Sequence, residues 1–322
     1  MLRRGRGGSL AIVMAFALLW VLPAIGRAEP PPRTGALAKV ERWGYQLQDY
    51  DFKRLRLAPV DLLVIDQKED GAADRPFNAR ELGLLKTQPE GGRRIVLAYL
   101  SIGEAESYRS YWKWYWGGNW FTNLLGYFLA PRWVGPENKE WGGNFAVRYW
   151  DPGWQEVILG SGGYLDQIIA AGFDGVYLDK VDSSIESIAK GRVSAKDDMR
   201  AFVRKIAEKG RAARPGFIVV PQNGEELLDD ESYIQLIDGI AKEDLLYGEF
   251  KDKKPNPEDV IQRRAAELER ARDKGKTVLA VEYLNDEEEI EQARERLEKL
   301  GFVPNFADRG LDTLRFGDLP AE

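Results

Sequence analysis

Residues 170–182 read AAGFDGVYLDKVD. A glycine at Gly172 closes one segment, a short apolar run follows at once, and the run ends in a carboxylate at Asp179. Glycine just past a helix supplies the left-handed backbone that stops it, and a continuous apolar run directly afterwards is the pattern of a strand buried on both faces of a parallel sheet. The unit recurs: RPG leads into FIVVPQ at 214–222, KGK into TVLAVEY at 274–283, and KLG into FVPNF at 299–306. Eight strands are predicted, at Gly44–Leu47, Leu62–Asp66, Ile95–Ile102, Gly175–Asp179, Phe217–Gln222, Ile237–Lys242, Val278–Tyr283 and Phe302–Phe306. Segments with apolar residues at three-to-four spacing lie between many of them, most clearly Ala79–Lys86, Lys196–Ala213, Pro257–Lys274 and Asp286–Leu300. Eight strands alternating with helices predict one α/β unit, a (β/α)8 TIM barrel over residues 42–322, with a doubly wound open sheet as the alternative.

The same runs share a second property. DLLVID ends at Asp66, GVYLD at Asp179, IVVPQN at Gln222 and Asn223, and GIAKE at Glu243. Acids and amides gathered at one end of several buried strands are how a barrel builds a working face. The chain has no histidine and no cysteine, which excludes an imidazole base, a thiolate nucleophile and disulfides. Such a face works through carboxylates, and neither a metal nor an organic cofactor is expected. Alternation along a strand puts Asp179 on the side of Gly175 and Tyr177, and Glu243 on the side of Gly239 and Ala241. Small residues beneath an acid suit a crowded barrel interior. Two carboxylates facing a common space are what glycoside cleavage requires, although a salt bridge or a helix cap would also account for either one. Tyr99, Tyr177, Asp182, Gln222, Asn223 and Glu282 join them as candidate substrate contacts. Asp66 stands open between ligand contact and structural hydrogen bonding, and Asp182 and Glu186 between a sugar hydroxyl and a capping role. Lys180, opposite Asp179 in the alternation, is expected to pair with the barrel wall.

Between the third and fourth predicted strands, residues 105–155 hold eight of the ten tryptophans. A connection this long over the working face is usually functional, and indole faces stack on the C–H faces of sugars. Trp112 and Trp116 are therefore expected to touch substrate, with a small packed core for the insertion as the other use of these rings.

Residues 1–28 read as a secretory signal: Arg3, Arg4 and Arg6, then the apolar run Leu10–Leu22, then Gly26-Arg27-Ala28 as a cleavage site. A secreted or periplasmic location follows, with no stable membrane anchor after cleavage, and the proline-rich residues 29–41 are expected to be a flexible leader. Loss of the four arginines takes the formal net charge from −6 to −10. An acidic surface argues against a nucleic-acid partner and suits a neutral or cationic polymer.

LAYLSIGEAESYRSYW (97–112), RYWDPGWQ (148–155), GFDGVYLDKVD (172–182), PQNGEELL (221–228) and IDGIAKED (237–244), in that order, resemble glycoside hydrolase family 114, the endo-α-1,4-polygalactosaminidase-like proteins. The resemblance implies a (β/α)8 barrel and retaining, endo-acting hydrolysis of α-1,4-linked galactosamine polymers. It carries the family's strand-four aspartate onto Asp179 and its strand-six glutamate onto Glu243, and places Ser101, Gly103 and Glu104 in the SIGEAE turn, with Ser101 and Glu104 as substrate contacts. By analogy Asp179 is the nucleophile and Glu243 the acid/base, the exchanged assignment remaining open. Lys242 stands where an uncharged residue is expected. A non-catalytic polysaccharide-binding barrel is the alternative, and a metal-dependent phosphodiesterase barrel a third reading. A cysteinyl-tRNA synthetase assignment is excluded, because its nucleotide signature needs histidines.

Overall fold

The computed structural model describes residues 30–68, 75–116, 129–184 and 186–315. The expected signal segment 1–28 lies outside the described residues, as does Trp120. Five parallel strands pair in the order β1 (Trp43–Tyr45), β2 (Leu62–Ile65), β3 (Ile95–Ser101), β7 (Gly175–Asp179) and β8 (Ile218–Pro221). Three more pair in parallel in the order β9 (Gly239–Glu243), β10 (Thr277–Glu282) and β11 (Val303–Phe306). The two groups meet through a parallel bridge between Gln222 and Ala241 and through Asn223 N–H donating to Ala241 O at 2.8 Å. At the other end β1 lies against β11, where Trp43 Nε1 donates to Val303 O at 3.0 Å. These eight strands match the eight predicted ones within three residues at each end.

Alternate residues of the strands form one buried cluster: Trp43 and Tyr45, Leu62 and Val64, Leu97 and Tyr99, Tyr177, Ile218 and Val220, Ala241, Leu279 and Val281, and Val303. A second cluster holds the opposite faces together with the helices around them. The helix at Ala195–Ala213 buries Met199, Phe202, Val203, Ile206 and Ala207, the three-to-four spacing that predicted it. Gly172, at φ 101, ends the helix before β7 and donates to Ile168 O and Ile169 O, as a left-handed glycine stop does.

The expected leader 29–41 is corrected in its second half. Leu37 and Val40 are buried in the inner cluster, Thr34 N–H donates to Gly275 O at 2.7 Å, and Thr277 Oγ1 donates to Leu37 O at 3.0 Å. A Cβ on Gly239 would lie 2.7 Å from Thr277 O and 2.9 Å from Leu37 Cδ1, so β9 begins with glycine because the backbone of β10 and the Leu37 side chain leave no room for anything larger. The proline content that suggested mobility belongs to Pro30–Pro32, and the apolar residues after it dock.

The residues between β3 and β7 carry a three-stranded antiparallel sheet, β4 (Glu104–Glu106), β6 (Asn144–Val147) and β5 (Val134–Glu137) in that order, then helices at Pro152–Leu159 and Tyr164–Ala171. Among the described residues no helix is long and apolar enough to cross a membrane.

Candidate active site

A cavity of about 480 Å³ opens at the C-terminal ends of the parallel strands. β7 delivers Asp179 and β9 delivers Glu243 to its wall, and the chain turns sharply after each. Lys180 and Asp244, the residues that follow, take left-handed backbone at φ 60 and 52, as does Asn223 after β8 at φ 59. Such conformations in residues other than glycine cost energy and gather at functional sites.

Each carboxylate accepts three hydrogen bonds. Tyr99 OH donates to Asp179 Oδ2 at 2.6 Å, and Lys180 N–H and Gln222 Nε2 donate to Oδ1 at 2.7 and 3.3 Å. Gln222 Nε2 also donates to Glu243 Oε2, which Asn223 Nδ2 reaches at 3.0 Å, and Tyr283 OH donates to Oε1 at 2.5 Å. One amide nitrogen thus bridges the two acids. Asn223 has only one workable orientation, because its Oδ1 accepts from Lys242 Nζ at 3.1 Å and from Glu243 N–H at 3.2 Å. A donor on one side and a carboxylate on the other fix which way an amide faces. Lys242, at the position where an uncharged residue is expected, therefore holds the amide that serves Glu243. Its own charge faces Glu225 at 3.6 Å, which Arg264 also pairs at 2.9 Å.

Burial and then the nearby charge of Glu243 push the Asp179 carboxyl up to about 7, against the opposing pull of Lys180 and the Tyr99 hydroxyl. Like charges sharing one space resist joint ionisation, and their proton belongs to the pair. Burial likewise lifts Asp182 to about 6. Tyr45, Tyr99, Tyr177 and Tyr283 are all raised, chiefly by burial, so none serves as a base, and Tyr99 and Tyr283 donate to the two acids.

The structure brings Asp66, Tyr99, Glu104, Asp179, Asp182, Gln222, Asn223 and Glu243 to one cavity. Asp66 is engaged structurally: Arg109 grips both its oxygens, at 2.8 and 2.5 Å, and pairs with Glu106 at 2.7 Å. Burial raises its pKa and Arg109 opposes the rise. Glu104 accepts from Asn138 Nδ2 at 3.0 Å. Lys180 lines the cavity, contrary to the expected wall pairing, and its ammonium meets Glu186 at 2.5 Å. Ser101 pairs with Asp179 in register but is buried outside the cavity wall. Tyr177, also expected to touch substrate, is fully buried beneath the wall and does not line the cavity, its ring 5.1 Å from that of Tyr45.

Besides Ser101 and Tyr177, three further expected contacts are corrected. Glu282 is fully buried and faces away, accepting Leu246 N–H at 2.8 Å and Tyr247 N–H at 3.1 Å. It is out of phase with Val281 and Tyr283, so strand alternation had already excluded it. Trp112 stacks on Phe145 at 4.4 Å, and Trp116 meets Trp133 edge-on at 5.3 Å. Both rings pack the insertion and neither lines the cavity. The alternation rule would also have found Tyr45 and Tyr283, which were missed. Nothing local in the sequence announces Arg309, which grips Asp244 at 3.0 Å with both terminal nitrogens and lies 4.4 Å over the Tyr283 ring.

Two strand-end carboxylates bridged by an amide, in a cavity above a parallel α/β sheet, have the makings of a glycoside hydrolase site. The chain belongs to glycoside-hydrolase family GH114, whose family model matches residues 26–317. An uncharacterized protein of Deinococcus radiodurans is 36% identical over 288 residues, covering 88% of this chain and 86% of its own. One of Methanocaldococcus jannaschii is also 36% identical over 288 residues, covering 84% and 77%. Among solved structures, the glycoside hydrolase domain of PelA from Pseudomonas aeruginosa superposes with a TM-score of 0.63 at 19% identity, covering 85% of this chain and 97% of that one. At that identity the likeness concerns the fold.

Proposed function

We propose that this glycoside hydrolase is an exported, retaining, endo-acting enzyme that cleaves α-1,4-linked galactosamine-containing polysaccharide on a closed (β/α)8 barrel. The observation that carries the reading is the Gln222 amide shared by Asp179 and Glu243. Two hydrogen bonds from one nitrogen keep the nearest carboxylate oxygens within about 6 Å, a close approach that favours the roughly 5–5.5 Å carboxyl separation of retaining enzymes over the roughly 6.5–9.5 Å of inverting ones. In this reading Asp179 attacks the anomeric carbon while Glu243 protonates the departing oxygen, and Glu243 then takes a proton from the water that releases the sugar. The described cavity wall carries seven acids, Asp66, Glu104, Glu106, Asp179, Asp182, Glu243 and Asp244, against Arg109, Lys180 and Arg309, a balance that favours a protonated amino sugar. A cation beside Asp179 lowers that carboxyl's hold on a proton and favours the ionised form that attacks. Support for barrel closure comes from the two seams, and support for export from residues 1–28.

The test is digestion of partly deacetylated α-1,4-galactosamine oligosaccharides, with the first-formed anomer followed by proton NMR. Release of internal fragments with retained configuration is expected. Inversion overturns the mechanism, and binding without cleavage replaces the enzyme with a polysaccharide-binding barrel.

A further inference from the structure

Seven of the eight tryptophans between residues 105 and 155 are described, and their placements differ. Trp133 and Trp154 are buried, and Trp112, Trp116 and Trp150 pack against the core. Trp114 is 70% exposed but is not part of the cavity wall. Trp141 is 50% exposed and does line the catalytic cavity.

Trp141 stands on the turn between β5 and β6, and that turn is braced. Asn138 Oδ1 accepts from Glu140 N–H at 3.0 Å and from Trp141 N–H at 3.3 Å. Asn138 N–H donates to Asn144 O at 2.7 Å, Asn144 N–H to Trp141 O at 3.2 Å, and Gly143 N–H to Glu137 Oε1 at 2.8 Å. The other end of the Asn138 amide donates to Glu104 Oε1 at 3.0 Å, which ties the turn to β4 at the cavity edge. An indole half out of water on a fixed turn, in the wall of a cavity rich in carboxylates, presents an apolar face to a ligand that is otherwise polar. A sugar ring has both characters: hydroxyls and amines around its rim, and C–H groups on its faces.

We propose that Trp141 is a stacking platform for a sugar ring of the bound polymer, a subsite beside the Asp179–Glu243 pair, and that Glu104 acts through Asn138 as its positioning residue. The inference rests on the polysaccharide reading above and deepens it. It moves polymer recognition from the Trp112–Trp116 stretch to a single indole held by a carboxylate on the barrel side.

The experiment compares wild type with Trp141→Ala, Trp141→Phe and Trp114→Ala on a ladder of galactosamine oligosaccharides. Trp141→Ala is expected to raise KM for long oligosaccharides by about tenfold, the upper range of one aromatic contact, with a much smaller change in kcat. Trp141→Phe should recover part of the loss, and Trp114→Ala should behave as wild type. A folded Trp141→Ala variant with unchanged KM overturns the proposal, as does an equal loss in Trp114→Ala, which would point to diffuse aromatic stickiness. Should Trp141→Ala fail to fold, Trp141→Phe and Asn138→Ala decide by the same KM split. A wild-type protein that cleaves no member of the ladder removes the functional reading itself, an outcome distinct from an active enzyme indifferent to Trp141.

Discussion

The strand ends of β7 to β10 and the insertion between β3 and β7 are both rich in the residue types that handle sugars, yet they use them differently. At the strand ends the alternation of the sheet decides everything: Tyr177 and Asp179, Ala241 and Glu243, and Val281 and Tyr283 all face inward. In the insertion the aromatic residues have no such rule, and most of them pack on one another. Side-chain chemistry identifies a site only where the backbone dictates direction.

The sharpest way to break this contrast is at the acids. Asp179→Asn and Glu243→Gln should each lose roughly a hundredfold or more of turnover, as expected for removing a nucleophile or a positioned acid, whereas no single tryptophan substitution in the insertion should approach that. Azide separates the roles: with alanine variants, an adduct of inverted configuration marks the nucleophile and one of retained configuration marks the acid/base. A folded variant at full activity removes that residue from the mechanism.

A smaller effect is expected at Lys242. Replacing it with methionine frees the Asn223 amide to turn, so Glu243 loses a positioned donor. Turnover should fall by about tenfold, the worth of one charge-assisted hydrogen bond, and be largely restored by Lys242→Arg. Unchanged turnover would show that the amide is held without the lysine.

In the insertion the expected loss is of stability. Trp112→Ala removes a stacked ring and should cost about 2–3 kcal/mol, toward the low end for a large core residue because Trp112 is partly exposed. Urea unfolding measures it, and polymer affinity per folded molecule should be preserved. Lost affinity at unchanged stability would return Trp112 to the substrate.

The gentlest test concerns the cost of the site itself. Asp179, raised from 3.8 to about 7 in the folded protein, makes folding bind a proton, so its contribution to stability declines as pH rises between those values and is lowest above pH 7. Asp179→Asn should therefore melt higher than wild type at pH 8, and the gap should close below about pH 4. A gap that widens toward acid would contradict the sign of the shift.

These contrasts also explain what could be read from the sequence. The eight strands were legible because apolar runs after helix-ending glycines repeat, and the acids were legible because they interrupt those runs at the same end. Tyr283 and the exclusion of Glu282 were legible too, by counting in twos from Val281. Arg309 and the Asn138–Glu104 link were not, since they join segments 65 and 34 residues apart through side-chain reach, which no local periodicity encodes. The insertion misled because tryptophan serves packing and sugar binding equally well, and only exposure beside a cavity tells them apart.

The bond from Thr277 to Leu37 closes a loop of 240 residues. A chain that emerges amino end first has Leu37 in hand long before β9 and β10 exist, so the plug under the parallel strands waits for the last third of the sequence. Contacts so distant in sequence form slowly. Completion of the floor is thus expected late in folding, and a chain truncated before β10 would lack Thr277, the residue that holds Leu37 in place.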